Sequence, residues 1–97
     1  VLEYKKLRLD IGKHECRLDQ EIISLTPTEF AILELLLERQ GQAVNLEELF
    51  HLVWKDEYYT KNSSAITVHI RHLREKLQDV SDKPEYIKTV WGVGYKI

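Results

Sequence analysis

The stretch from Ile66 to Leu77, ITVHIRHLREKL, decides how the rest of the chain is read. At about 100° per residue, Ile66, Ile70, Leu73 and Leu77 fall within one narrow arc of a helix. Ser64, Val68, Arg71, His72 and Glu75 point away from that arc, and Thr67 and Arg74 lie on one flank. Such a helix buries an aliphatic ridge and presents cationic, polar and methyl-bearing groups outward. Asn62-Ser63-Ser64 supplies its caps, and the pattern runs to about Gln78.

Upstream lie two further helices. Thr26-Pro27-Thr28-Glu29 is a start signal: Thr26 can accept from the Glu29 amide, Glu29 can reach back, and Pro27 sits where a missing N–H costs nothing. Phe30, Leu33, Leu36 and Leu37 then line one face, and Gly41 supplies a left-handed stop, which predicts a helix over about 27–40. Asn45 followed by Glu48 repeats the cap logic. Leu46, Leu49, Phe50 and Val53 follow at helical spacing, giving a short second helix that ends near Trp54. Lys55 to Lys61, KDEYYTK, has no helical stripe and reads as a loop.

The two ends are strand-like. Leu2, Tyr4, Leu7 and Leu9 alternate with polar residues, Ile11-Gly12-Lys13 reads as a turn, and Cys16, Leu18 and Ile22-Ile23-Ser24-Leu25 continue the pattern. This predicts a small N-terminal antiparallel sheet. After a loop from Asp79 to Pro84, Tyr86-Ile87-Lys88-Thr89-Val90 is β-rich. Gly92 and Gly94 bracket a reversal into Tyr95-Lys96-Ile97, a β-hairpin.

Ninety-seven residues suffice for one small domain that hides about 65% of its unfolded surface. The aliphatic runs Ala31-Ile32-Leu33 and Leu35-Leu36-Leu37 are split by Glu34, far short of the roughly 20 apolar residues of a membrane helix. The first ten residues lack the apolar stretch of a signal peptide. Cys16 is the single cysteine, which excludes a disulfide framework and fits a reducing, cytoplasmic setting. The net charge of −2 conceals an asymmetry: residues 1–60 hold 7 Lys/Arg against 12 Asp/Glu, residues 61–97 hold 7 against 4. A mildly basic C-terminal third hints at a polyanionic partner.

A sheet, three helices and a hairpin, with the third helix apolar inside and basic outside, describe an α+β winged helix-turn-helix. The major groove of B-DNA is about 12 Å wide and admits one α-helix whose side chains reach base edges. The preceding helix then meets the phosphate backbone, and a hairpin beside the reading helix reaches the adjacent groove. An arginine-bearing face alone is what any solvated helix shows. The capped three-helix order and the glycine-bracketed hairpin supply the direction.

LTPTEFAILELL (Leu25 to Leu36), LFHLVW (Leu49 to Trp54), ITVHIRHLREKL and YIKTVWGVGYKI (Tyr86 to Ile97), in this order and spacing, resemble the C-terminal effector domain of OmpR/PhoB-family response regulators. Within the family, the last two segments are similar to the VanR-type vancomycin-resistance regulators. The resemblance implies a four-stranded N-terminal sheet, three helices and a C-terminal wing. It implies binding to double-stranded promoter DNA with direct-repeat half-sites as a tandem dimer. It further implies an N-terminal receiver domain, outside this chain, phosphorylated on aspartate by a sensor kinase.

Residue by residue, the resemblance carries base reading onto Arg71, His72 and Arg74, with the two arginines addressing guanine or phosphate, and Val68 packing on a thymine methyl. His72 is a departure from the arginine common in relatives. Ser64, Thr67 and His69 match phosphate-touching positions, as does Trp54 through its indole N–H, unless Trp54 only covers the end of the second helix. In the wing, Thr89 matches a backbone-contacting position. Trp91 stands where relatives place a minor-groove arginine, which leaves sugar packing or phosphate donation. Tyr58 and Tyr59 fall in the segment that touches RNA polymerase in the family, or else pack back on the domain.

Other functions find little support. His69, His72, His14, Glu15 and Cys16 are too scattered for a zinc motif, no phosphate loop follows a strand, and no nucleophile–base pair is visible, so neither metal, cofactor nor enzymatic activity is expected. A winged-helix module that binds protein rather than DNA is the remaining alternative.

Overall fold

The computed structural model describes residues 1–54, 65–80 and 82–97. Four short strands come first: β1 (Leu2–Tyr4), β2 (Leu7–Asp10), β3 (Glu15–Leu18) and β4 (Glu21–Ile23), an antiparallel meander in that order. Register places Leu7 opposite Leu18 and Leu9 opposite Cys16. Period-two alternation therefore buries Leu7, Leu9 and Cys16 beneath the sheet and turns Arg8 and Arg17 outward. The reversal after β2 runs from Ile11 to His14, and its left-handed residue is His14 (φ 53°), not Gly12. The His14 ring stacks on Phe30, centroids 3.7 Å apart.

Helix α1 (Pro27–Glu38) starts as its sequence dictates. The Thr26 hydroxyl accepts from the Glu29 amide at 3.1 Å, and the Glu29 carboxylate accepts from the Thr26 amide at 3.0 Å. It ends two residues earlier than the apolar pattern suggests, with Arg39 as C-cap. Gly41 (φ 87°) carries the chain away, its amide bonded to the carbonyl of Ile97. The two-residue strand β5 (Val44–Asn45), which the alternation did not reveal, leads into α2 (Leu46–Val53), capped by Asn45 accepting from the Glu48 amide at 2.8 Å.

Helix α3 (Ala65–Lys76) seals the core. Ile66, Ile70, Leu73 and Leu77 are each at most 3% exposed and pack with Leu33, Leu36 and Leu49 of the other helices. Each such side chain contributes about 1.5–3 kcal/mol of apolar burial. The helix closes with Gln78 in the left-handed region (φ 57°) and the Asp79 amide bonded back to the Arg74 carbonyl, the geometry usually given to glycine. Strands β6 (Lys88–Val90) and β7 (Gly94–Lys96) form the hairpin, and β5 completes a second sheet of order β5-β7-β6. Gly94 is required there, since a Cβ would run into the Val44 carbonyl oxygen.

Candidate nucleic-acid interface

The outer face of α3 carries Thr67, Val68, Arg71 and Glu75, all exposed. The Arg71 side chain makes no hydrogen bond or ion pair with any described residue, Glu75 one turn later included. Its guanidinium is a charged fork on an open helix face. Val68 beside it is 38% exposed, an apolar contact surface of methyl size.

Both flanks of this face are tied to the body of the domain. On one side, Arg74 donates from Nε and Nη2 to the Ile87 carbonyl (3.1 and 2.8 Å) and from Nη2 to the Thr89 hydroxyl (2.9 Å). Its guanidinium also lies 5.6 Å from the centre of the Tyr95 ring, within cation–π range. Arg71 and Arg74, expected to act alike, therefore differ in their surroundings. Position 74 is rotated about 60° toward the hairpin, where a carbonyl, a hydroxyl and an aromatic face wait for a cation.

On the other side, Lys76 Nζ bonds Glu29 Oε1 at 2.5 Å, and His72 Nδ1 lies 4.0 Å from Glu29 Oε2. The Glu29 side chain is only 3% exposed. Burial alone pushes its carboxyl pKa up; the Lys76 ammonium and the Thr26 amide and hydroxyl outweigh that and hold it below the ordinary carboxylate value. The His72 side chain is directed to this carboxylate while remaining 45% exposed. The His69 ring lies 5.8 Å from that of half-buried Trp54, which in turn leans on Phe50.

Trp91, at the hairpin tip, is 90% exposed, and Val93 beside it is 43% exposed. Thr89, half-buried, accepts the Arg74 bond. Between α3 and the hairpin runs an open groove of about 350 Å³ lined by Thr67, Ile70, Arg71, Arg74, Glu75 and Tyr95, among others. Of the residues singled out from sequence, Ser64, Tyr58 and Tyr59 lie outside the described residues.

Two contributors escaped sequence reasoning. Lys76 carries no local signal, because its partner Glu29 lies 47 positions away. Asp79, 5% exposed, accepts backbone N–H bonds from Glu85, Tyr86 and Ile87 at 2.7–3.1 Å, hanging the hairpin from the end of α3. A loop acid a few residues before a strand is the only signal it offers. Among the described residues, no three His, Cys, Asp or Glu side chains cluster as metal ligands, and no helix is long and apolar enough to cross a membrane.

Fold and face together define a winged helix-turn-helix domain whose third helix and hairpin form one continuous surface. The chain belongs to the family of C-terminal domains of transcriptional regulatory proteins, the OmpR/PhoB type, whose model matches residues 19–97. It is 56% identical over 97 residues to the regulatory protein VanR of Enterococcus faecium, covering all of this chain and 42% of that protein. The chain thus spans less than half the length of the curated relatives it matches. Among solved structures, the DNA-binding domain of Klebsiella pneumoniae RstA, crystallised with the RstA box, superposes with a TM-score of 0.91 at 27% identity, over 99% of this chain and 94% of that one. The DNA-binding domain of Escherichia coli CpxR gives 0.86 at 38% identity, over 99% and 93%.

Proposed function

We propose that this chain is the sequence-specific, double-stranded DNA-binding effector domain of a two-component response regulator, and that it regulates transcription. One observation carries the reading: the Arg71 guanidinium, without a partner among the described residues, sits mid-way along the open face of α3, beside an exposed hairpin, in a domain that shares its fold with one crystallised on DNA. With α3 in the major groove, Arg71 reaches a guanine edge or a phosphate and Val68 a thymine methyl. Thr67 and His69 are assigned to the phosphate strands, and Ser64, which lies outside the described residues, is assigned there by similarity to the family alone. Trp54 and Trp91 offer indole N–H groups to phosphate, and His72, Arg74 and Thr89 border the same surface.

The reading extends to the longer protein by similarity to VanR. A receiver domain precedes this one, a sensor kinase phosphorylates it, and two copies occupy direct-repeat half-sites about 10–11 bp apart in the cytoplasm. RNA polymerase is the downstream partner, and glycopeptide-resistance genes are the target class. No catalytic step is part of this role.

Footprinting on promoter fragments, followed by anisotropy titrations from 50 to 200 mM salt, tests the proposal. Arg71→Ala is expected to weaken binding by about 5- to 150-fold, the value of one base-reading arginine, with an unchanged melting temperature. If the folded variant binds the footprinted duplex as the parent does, α3 does not read DNA, and a protein-binding winged helix becomes the better account.

A further inference from the structure

We infer that Arg74 is a positioning residue that locks the hairpin to α3, so that helix and wing meet DNA as one rigid body; the inference rests on the DNA-binding reading above. Ile87 is where the lock closes. Its amide is bound by Asp79 Oδ2 at 2.9 Å, and its carbonyl is bound by both Nε and Nη2 of Arg74. Both backbone groups of one buried residue are thus held by side chains from the last turn of α3 and from Asp79, three positions past its end.

Thr89, two residues on, takes the third Arg74 bond. Trp91, two further, is the exposed tip. Ile87 leads into β6, Thr89 is its central residue and Trp91 opens the turn that follows, so fixing Ile87 and Thr89 fixes the stem from which the Trp91 tip projects beside α3. The Tyr95 ring, from the central strand of the same sheet, lies against the guanidinium. A guanidinium whose Nε and Nη2 donors are already committed to a carbonyl and a hydroxyl, beside an aromatic ring, is turned to the hairpin and has few donors left to neutralise a phosphate. Arg71, with none of these partners, is the opposite case.

The two roles separate by experiment. In the free domain, Arg74→Ala is expected to speed amide hydrogen exchange in β6 and β7 by at least about tenfold, the loss of a charge-assisted bond, while α1 and α2 keep their protection. On the footprinted duplex it is expected to weaken binding, yet to leave the slope of log K against log salt unchanged. A residue that neutralises a phosphate lowers that slope by about 0.9. On a duplex truncated at the wing side, parent and variant are expected to bind equally. Thr89→Val, which keeps the Ile87 bonds, is expected to act in the same direction more weakly and to add nothing to Arg74→Ala. A slope reduced by about 0.9, a defect that persists on the truncated duplex, or unaltered hairpin exchange overturns the inference. Should the parent bind no duplex, the DNA-binding reading fails, and exchange in the free domain still decides whether the lock exists.

Discussion

Replacing Lys76 by Met tests the buried side of α3, because Lys76 is the cation that compensates a carboxylate sealed between α1 and α3. The Glu29 side chain is 3% exposed and that of Lys76 is 35% exposed, with Nζ 2.5 Å from Oε1. A hydrogen bond to a charged group contributes about 1.5–3 kcal/mol, and the partial exposure of Lys76 places this one near the lower end, at about 1.5 kcal/mol. For a domain of this size that corresponds to a melting temperature lower by about 6–12 °C at pH 7. The sign with pH follows from the depressed Glu29 carboxyl. Its contribution is fully present above the unfolded-state value and is lost as pH falls through the lower folded-state value. Parent and Lys76→Met stabilities therefore converge on acidification. Urea unfolding of the parent, Lys76→Met, Glu29→Gln and the double variant at pH 7, 5, 4 and 3 isolates the pair as a coupling energy. A coupling below about 0.3 kcal/mol at pH 7, or one that persists undiminished at pH 3, would refute the reasoning.

Three other outcomes are expected. Gly94→Ala drives a Cβ into the Val44 carbonyl, so β5 must part from β7, with a loss of about 1–3 kcal/mol in urea unfolding. Trp91→Ala leaves stability within about 0.5 kcal/mol, since its side chain is 90% exposed, but weakens DNA binding measured by anisotropy. The Cys16 thiol is 2% exposed, and burial raises its pKa to about 11; alkylation at pH 8 is therefore negligible in the folded domain and rapid in urea, as mass spectrometry will read.

What could be read from sequence was local. Thr26 and Glu29 stand three apart, so their capping box needs no knowledge of the rest of the chain, and it is present as expected. The Ile66, Ile70, Leu73, Leu77 ridge likewise declares itself by period alone. Strand β5 was invisible because two residues hold no alternation, and it exists only because β7 lies beside it. The reversal after β2 places its left-handed residue at His14 rather than Gly12, and the stack of His14 on Phe30 is a tertiary contact that turn composition does not show.

The functional face followed the same division. A helical wheel finds the open side of α3 and puts Arg74 on a flank. It does not reveal that Ile87 and Thr89, 13 and 15 positions downstream, wait there with acceptors. The pairing of His72 and Lys76 with Glu29 is equally a tertiary matter, since it needs the start of α1 laid across α3. Long-range partners decide which cations of a basic helix are free, and only the fold assigns them.

The Asp79 carboxylate, by gathering the amides of Glu85, Tyr86 and Ile87, closes the connection between α3 and the hairpin at its neck. Val80, Asp82 and Lys83 lie beyond that neck at the surface. Extra residues spliced in there lengthen a loop whose ends are already fastened, at about 0.6 kcal/mol per doubling of its length. The connection is accordingly a natural port for a fluorophore or an epitope, best joined at Asp82, since Val80 lines the groove beside Arg71 and Arg74.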